Sequence, residues 1–198
     1  MLKPVPETFW IGQLKNLSMV GLGKNAGGEM GFGRFPAGTH FMNTNHQTDT
    51  GNGVLVIGYG NTLRGDDGVG PRVAEAIGSL RLPGVHTLIC PLLTPELADP
   101  ISRAGKVIFV DAAVDDSPEV QWRQLQPNET SQIMAHAADP RTMLALARDV
   151  FGHVPQAWWL TIPAVDLGFS EEFSPAVRRD FDVAVKKIQA FCHLSGRN

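Results

Sequence analysis

The feature that most constrains the fold of this chain is an uninterrupted apolar run, Val54-Leu55-Val56-Ile57, which Gly58 closes. A run without polar alternation predicts a strand that is buried on both faces, as in a parallel sheet. A helical pattern follows from Val69 to Leu80, with an apolar residue every three or four positions. Because parallel strands need crossover helices between them, this first strand and helix predict an α/β domain.

Four more strands and three more helices are predicted downstream. The strands cover residues 85–90, 106–111, 120–125 and 158–162. A short helix is predicted to start at Pro95, with Thr94 as its cap, and to end or kink at Pro100. Two longer helices open at Pro140 and Pro175. The link between the third and fourth strands is too short for a crossover helix, so one antiparallel edge strand is expected. The predicted fold is a three-layer α/β/α sandwich around a twisted, mostly parallel five-stranded sheet, of the phosphorylase/hydrolase-like kind.

Residues 1–53 differ in composition from the rest of the chain. They hold 10 of the 21 glycines but only 7 of the 37 charged residues. No helical or alternating apolar period runs through them, so they are predicted to form a poorly ordered N-terminal extension. The Gly23-Lys24 pair lacks the spacing of a phosphate-binding loop. We therefore expect one domain over residues 54–193, followed by a short tail over residues 194–198.

Charge and cysteine content exclude several classes of protein. The formal net charge is -3 and no block of like charges occurs, which argues against nucleic-acid binding and against a polybasic membrane contact. The two cysteines form no CxxC motif, so zinc fingers and disulfide scaffolds are excluded and a reducing compartment is favoured. No secretory signal and no apolar run of about 18 residues occurs. A cytoplasmic monomer is the expectation.

The loop between the first strand and the first helix, residues 58–70, superficially resembles a dinucleotide-binding fingerprint. That fingerprint requires a third small residue where this chain has Leu63, and an acid at the end of the second strand, where none occurs. The adjacent carboxylates of Asp66 and Asp67 would also repel a pyrophosphate. A nucleotide-binding module is therefore retained only as an alternative.

Acid or imidazole side chains occur at three places near predicted strand ends: the Asp66-Asp67 pair, Asp111 and His136. Asp66 could cap the following helix at its N-terminus, which would leave the other acid of the pair, Asp67, free. Asp111 follows the third strand, and His136 precedes a capped helix. Ligands of open α/β sheets bind outside the carboxyl ends of the strands. Two carboxylates and one imidazole from three loops at that edge would suit Ni²⁺, Zn²⁺ or Cd²⁺.

Small residues surround the acid pair, and they predict a tight turn or a cleft that a partner chain can approach closely. The residues expected to shape this cleft are Gly58, Gly60, Asn61, Gly68 and Gly70.

The run of residues 58–70 resembles the opening signature of the hydrogenase maturation endopeptidases, which trim the large-subunit precursor of nickel-iron hydrogenases. The resemblance continues in order through residues 94–97, 107–112, the segment around His136 and residues 160–163. It covers about residues 54 to 193.

This resemblance implies a site, a reaction and a partner. The metal-binding trio of the family corresponds here to Asp67, Asp111 and His136, which would also be the catalytic residues, with Asp66 as a candidate helper base. The implied reaction is one specific peptide-bond cleavage that releases a C-terminal extension from the large-subunit precursor after nickel insertion. The nickel would come with the precursor, and no nucleotide cofactor is implied.

A non-catalytic alternative is a chaperone that checks the precursor for nickel without cutting it. A cysteine nucleophile is not favoured, because Cys90 falls in or beside a predicted buried strand and Cys192 in the last helix. The chain also has no GxSxG motif, so a serine nucleophile of the hydrolase type is not indicated.

Overall fold

The computed structural model describes residues 53–115, 117–129 and 139–195. The predicted extension, except Gly53, and His136 lie outside these ranges, as does the tail beyond Ser195. No helix within the described ranges is long and apolar enough to cross a membrane.

Five strands and four α-helices alternate along the described chain. The strands are β1 (Val54–Tyr59), β2 (Val85–Cys90), β3 (Lys106–Ala113), β4 (Gln121–Leu125) and β5 (Gln156–Pro163). The helices are α1 (Val69–Ser79), α2 (Ala98–Arg103), α3 (Pro140–Phe151) and α4 (Pro175–Ser195). The sheet order is β2-β1-β3-β5-β4, and all neighbouring strands are parallel except β4, which runs antiparallel to β5 at the edge. The predicted α/β architecture is confirmed, including the antiparallel edge strand.

The sheet is buried on both faces, because successive side chains of a strand point to opposite sides. On β1, Leu55 and Ile57 pack in a core with α2 and α3, whereas Val56 packs in a second core with α1 and α4. β3 divides in the same way, with Phe109 in the first core and Ile108 in the second. Two apolar cores, one on each side of a central sheet, are what a three-layer sandwich requires.

Three local predictions were wrong. Pro100 does not end its helix, because it occupies the first turn of α2, where a backbone N–H has no helical partner to lose. The Thr94 side chain makes no capping hydrogen bond to the 3₁₀ turn Pro95–Leu97 that precedes α2. Asp111 does not close β3, which continues through Ala113 by pairing with β5. Asp111 instead lies just past the last residue of β3 that pairs with β1, which is Val110.

Candidate functional site

Glycines in β1 and in the loop after it allow different segments of the backbone to pack directly against each other. A Cβ at Gly58 would collide with the carbonyl oxygen of Gly70, and a Cβ at Gly70 would collide with that of Val110. The start of α1 therefore lies directly on β1 and β3. A Cβ at Gly68 would approach the Cα of Thr62 to 2.9 Å. At these three positions the space that glycine leaves is filled by backbone of the same chain, which agrees with the expected tight turn; the part that these residues play in a cleft stays a prediction.

Gly60 and Asn61 fix Asp67. Gly60 has φ +135°, and a Cβ there would collide with the carbonyl oxygen of Asp67, so only glycine fits. The Asn61 N–H donates to Oδ2 of Asp67 at 2.8 Å, and Oδ1 of Asn61 accepts from the N–H of Leu63 at 3.0 Å. The Asp67 carboxylate, partly exposed, is thus held against the loop with an oxygen still able to bind a ligand.

Asp66 has a different environment, although it is adjacent in sequence. Its side chain is completely buried, and its carboxylate accepts N–H bonds from Val165 at 3.0 Å, Asp166 at 2.9 Å and Ser174 at 2.7 Å. Burial alone would raise its pKa, but these hydrogen bonds from Ser174, Val165 and Asp166 outweigh burial and lower the pKa below its ordinary value.

Two expectations for Asp66 are affected by this geometry. The prediction that it caps the helix after it was wrong, because neither the 3₁₀ turn Gly65–Gly68 nor α1 has a side-chain cap. Its carboxylate fastens the segment between β5 and α4 instead. A buried carboxylate that accepts three amide hydrogen bonds is also a weak base, which argues against a helper role in catalysis.

Asp111 lies in a row of polar side chains across three strands. In the register of the sheet, Asp111 of β3 pairs with Thr161 of β5. On the other side of β3, Val110 pairs with Gly58 of β1, so the next residue of β1, Tyr59, lies beside Asp111. Parallel strands lie about 4.8 Å apart, so these three residues are immediate neighbours on the face covered by α2 and α3.

Burial and two nearby groups determine the charge of Asp111. Burial raises its pKa from the ordinary 3.8 to about 6, and the negative charge of Asp67 acts in the same direction. The Tyr59 hydroxyl and the Ala112 N–H favour the ionised form and oppose the rise. The pKa of Tyr59 is raised in turn, by its burial and then by the nearby charge of Asp111. The helix that follows Asp67 packs at Gly70 against the carbonyl oxygen of Val110, the residue before Asp111, so both acids lie at the same edge of the sheet.

Three buried donors lie in or beside this row. The Tyr59 hydroxyl, the Thr161 hydroxyl and the indole N–H of Trp159 make no hydrogen bond of normal geometry within the described chain. Trp159 lies two residues before Thr161 on the same face of β5. Tyr59 is close enough to both Asp111 and Trp159 for each to affect its pKa. Sequence reasoning missed all three residues, and the register between distant strands is the signal that groups them.

The start of α3 lies near the same row. Asp139 accepts the N–H of Arg141 at 2.8 Å as the cap of α3, and its charge contributes to the raised pKa of Tyr59. His136, three residues earlier, is outside the described residues. Within the described ranges, no three His, Cys, Asp or Glu side chains form a group that could hold a metal ion. The described site therefore supplies two carboxylates, those of Asp67 and Asp111.

Neither cysteine is suited to act as a nucleophile. Cys90 and Cys192 are both buried and free. Burial raises the pKa of the Cys90 thiol to about 11 and that of Cys192 to about 12. Because the thiolate is the reactive form, both are inert near neutral pH.

Solved structures of hydrogenase maturation endopeptidases have a similar fold. The hydrogenase maturating endopeptidase HybD from E. coli is 21% identical with a TM-score of 0.57, over 73% of this chain and 94% of that one. The hydrogenase 2 maturation peptidase from Thaumarchaeota archaeon SCGC_AB-539-E09 is 24% identical, with a TM-score of 0.53 over 70% and 97% of the two chains. The [NiFe] hydrogenase maturation protease HycI from Thermococcus kodakarensis KOD1 is 20% identical, with a TM-score of 0.55 over 72% and 93%. No family model and no curated protein matches the chain. At these identities the likeness establishes a shared fold, and the activity is argued from the site.

Proposed function

We propose that this protein is an endopeptidase that removes the C-terminal extension of a nickel-iron hydrogenase large-subunit precursor after nickel has been inserted. The observation that carries the proposal is that Asp67, in the loop after β1, and Asp111, just after the last β3 residue that pairs with β1, both lie at the carboxyl edge of the sheet. That edge is where open α/β sheets bind their ligands. The structurally similar maturation endopeptidases and the signature of residues 58–70 support the same reaction.

The substrate would be recognised through its nickel. The carboxylates of Asp67 and Asp111 offer oxygen ligands for coordination positions that the precursor leaves open, and His136 would add an imidazole. His136 precedes Asp139, the cap of α3, by three residues in the sequence, and its place in the ligand set rests on the resemblance to the maturation endopeptidases. A precursor without nickel would lack the group that these ligands bind.

Hydrolysis would then require a base and a polarised carbonyl. Asp66, with its lowered pKa and three N–H hydrogen bonds, is poorly suited to this role, so a carboxylate oxygen of Asp67 or Asp111 that does not bind nickel would accept the proton of the attacking water. The water oxygen bonds to the scissile carbonyl carbon, which the substrate's nickel can polarise. The C–N bond then breaks, and the proton passes to the leaving amine.

Intact mass spectrometry of the precursor tests this function. The nickel-loaded large subunit should lose the mass of its C-terminal extension when incubated with the protein, whereas the nickel-free subunit should keep it. A stable complex without any loss of mass would instead identify the alternative, a nickel-checking chaperone. Equal cleavage of both forms would contradict recognition through nickel.

Site variants test the assignment of residues. Asp67→Asn and His136→Ala should each reduce cleavage at least about 100-fold while the far-UV circular dichroism is unchanged. The matched control is Asp182→Asn, because Asp182 is an exposed acid on α4. Full activity in either site variant would remove that residue from the site.

A further inference from the structure

Exposed apolar side chains surround the candidate site. Loops that follow β1, β3 and β5 present four of them, which we call the apolar rim: Leu63 (45% exposed), Val114 (74%), Val165 (72%) and Phe169 (88%). β1, β3 and β5 are adjacent parallel strands, so these loops meet at the carboxyl edge that also carries Asp67 and Asp111.

Hydrogen bonds between the loops hold the rim in place. The N–H of Ser170 donates to the carbonyl of Leu63 at 3.1 Å, and the N–H of Ala164 donates to the carbonyl of Ala113 at 2.8 Å. The N–H of Val165 donates to the buried carboxylate of Asp66 at 3.0 Å. Each rim residue is therefore next to, or part of, a fixed contact. A surface that keeps apolar groups in a defined position is preorganised for binding.

The charge around the rim restricts what can cover it. Residues 60–68, 111–115 and 164–174 contain seven acids, and the single base among them is Arg64, whose Nε donates to the carbonyl of Leu167 at 3.3 Å. The acids are Asp66, Asp67, Asp111, Asp115, Asp166, Glu171 and Glu172. A second copy of the same face would bring like charges together, and an anionic membrane would be repelled. The complementary occupant is a protein surface with an apolar centre and basic residues around it.

We infer that the apolar rim is the docking surface for the folded body of the large-subunit precursor. The inference rests on the proposed function and adds the part of the protein that selects the substrate. Docking on Val165 and Phe169 would bring the partner's chain toward Asp67, because the N–H of Val165 donates to the carboxylate of Asp66, the residue before Asp67. Peripheral apolar contacts of this kind raise the affinity without taking part in bond cleavage.

Two pairs of substitutions test the rim. Phe169→Ser and Val165→Ser remove rim side chains, and the matched controls are Phe151→Ser and Val150→Ser. Phe151 and Val150 are also exposed but lie at the end of α3, and only four residues separate α3 from the start of β5 at the opposite edge of the sheet. All four side chains are exposed, so none of the changes should alter the melting temperature by more than about 2 °C.

The expected result is a rise of about 10-fold or more in KM for the nickel-loaded precursor in each rim variant. The kcat of each rim variant should remain within about twofold of the value for the protein without substitutions. The KM and kcat of both control variants should also remain within about twofold. Binding of the precursor, measured by calorimetry, should weaken in parallel. The binding measurement separates the two proposals. If the protein without substitutions binds the precursor, the rim variants bind it more weakly, and no cleavage occurs, only the endopeptidase function is contradicted.

Other occupants of the rim would give different results. If the rim variants bind and cleave the precursor as the unchanged protein does, the inference is wrong. If they dissociate a dimer in sedimentation experiments, a second copy covers the rim. If they change the rate at which trypsin cuts within residues 1–52 of the free protein, the chain's own N-terminal segment covers it. Each of the last two outcomes also overturns the inference.

Discussion

The carboxylate of Asp66 accepts a hydrogen bond of 2.7 Å from the backbone N–H of Ser174, which lies 108 residues later in the chain. Ser174 immediately precedes α4, so this contact and those from Val165 and Asp166 fasten the entry to the last helix onto the loop after β1. The first acid of the pair thus maintains the edge at which the second acid, Asp67, is displayed.

Asp66→Asn should destabilise the protein by about 2–4 kcal/mol. The amide removes the negative charge that three N–H groups share, and its NH₂ group turns a donor toward other donors. Urea unfolding at pH 7 measures the loss, with Asp182→Asn as the control. A change below about 0.5 kcal/mol would show that the three hydrogen bonds contribute little to stability.

The same variant should respond to acid in a defined direction. Because the fold lowers the pKa of Asp66, its contribution is fully present above the ordinary pKa of 3.8 and is lost as the pH falls through the lower folded value. The difference in unfolding free energy between the unchanged protein and Asp66→Asn should therefore narrow only below about pH 4. A difference that narrows between pH 5 and 7 would contradict this assignment.

Asp111→Asn should have the opposite effect on stability. Because the fold raises the pKa of Asp111 from 3.8 to about 6, ionising this residue costs the folded state free energy as the pH rises through that window. Above pH 6 the variant should be more stable than the unchanged protein by about 1–3 kcal/mol, although it should not cleave precursor. Unfolding curves at pH 4 and pH 8 test the sign, and equal effects at both would contradict it.

Thr161→Val should leave stability within about 0.5 kcal/mol or increase it. Its buried hydroxyl has no partner within the described chain, so its removal loses no hydrogen bond and relieves an unsatisfied group. The matched control is Thr142→Val, because the equally buried Thr142 hydroxyl accepts from Nδ2 of Asn128 at 3.1 Å. That control should cost about 1–3 kcal/mol in urea unfolding. Equal losses in both variants would mean that Thr161 has a partner.

Tyr59→Phe should raise the pKa of Asp111 further. The hydroxyl of Tyr59 favours the ionised carboxylate, and the substitution removes it without changing the volume of the ring. NMR titration of the Asp111 carboxyl carbon measures the shift. An unchanged or lower pKa would show that the hydroxyl does not act on Asp111.

Gly60→Ala should disrupt the loop that holds Asp67. The added Cβ would collide with the carbonyl oxygen of Asp67, and φ +135° is unfavourable for any L side chain. We expect a loss of at least about 3 kcal/mol in unfolding free energy. Gly84→Ala is the control, because Gly84 has φ +70° with open space around it and should lose only about 1 kcal/mol. Similar losses at both positions would mean that the collision is relieved by a small shift.

Much of the fold could be predicted because its elements are encoded locally. The unbroken apolar run of β1 predicts a strand that is buried on both faces. The apolar residues of α1, spaced three to four positions apart, predict a helix that is buried along one face. Asp139 and Pro140 mark the start of α3 through a side-chain cap and a fixed φ. The predictions that failed, at Thr94 and Pro100, depended on the exact residue at which a short helix begins. Such boundaries are set by one or two hydrogen bonds, which the pattern does not specify.

The sequence by itself determined that an α/β sandwich would bring acids to the carboxyl edge of its sheet. Only the tertiary structure decided which acid does what. Asp66 and Asp67 are neighbours of the same type, and what separates them is the arrival of amide groups from residues 165–174 at one of them. The row of Tyr59, Asp111 and Thr161 likewise exists only through strand register. Contacts between residues about 50 to 108 positions apart have no local signature, because they depend on how the whole chain packs.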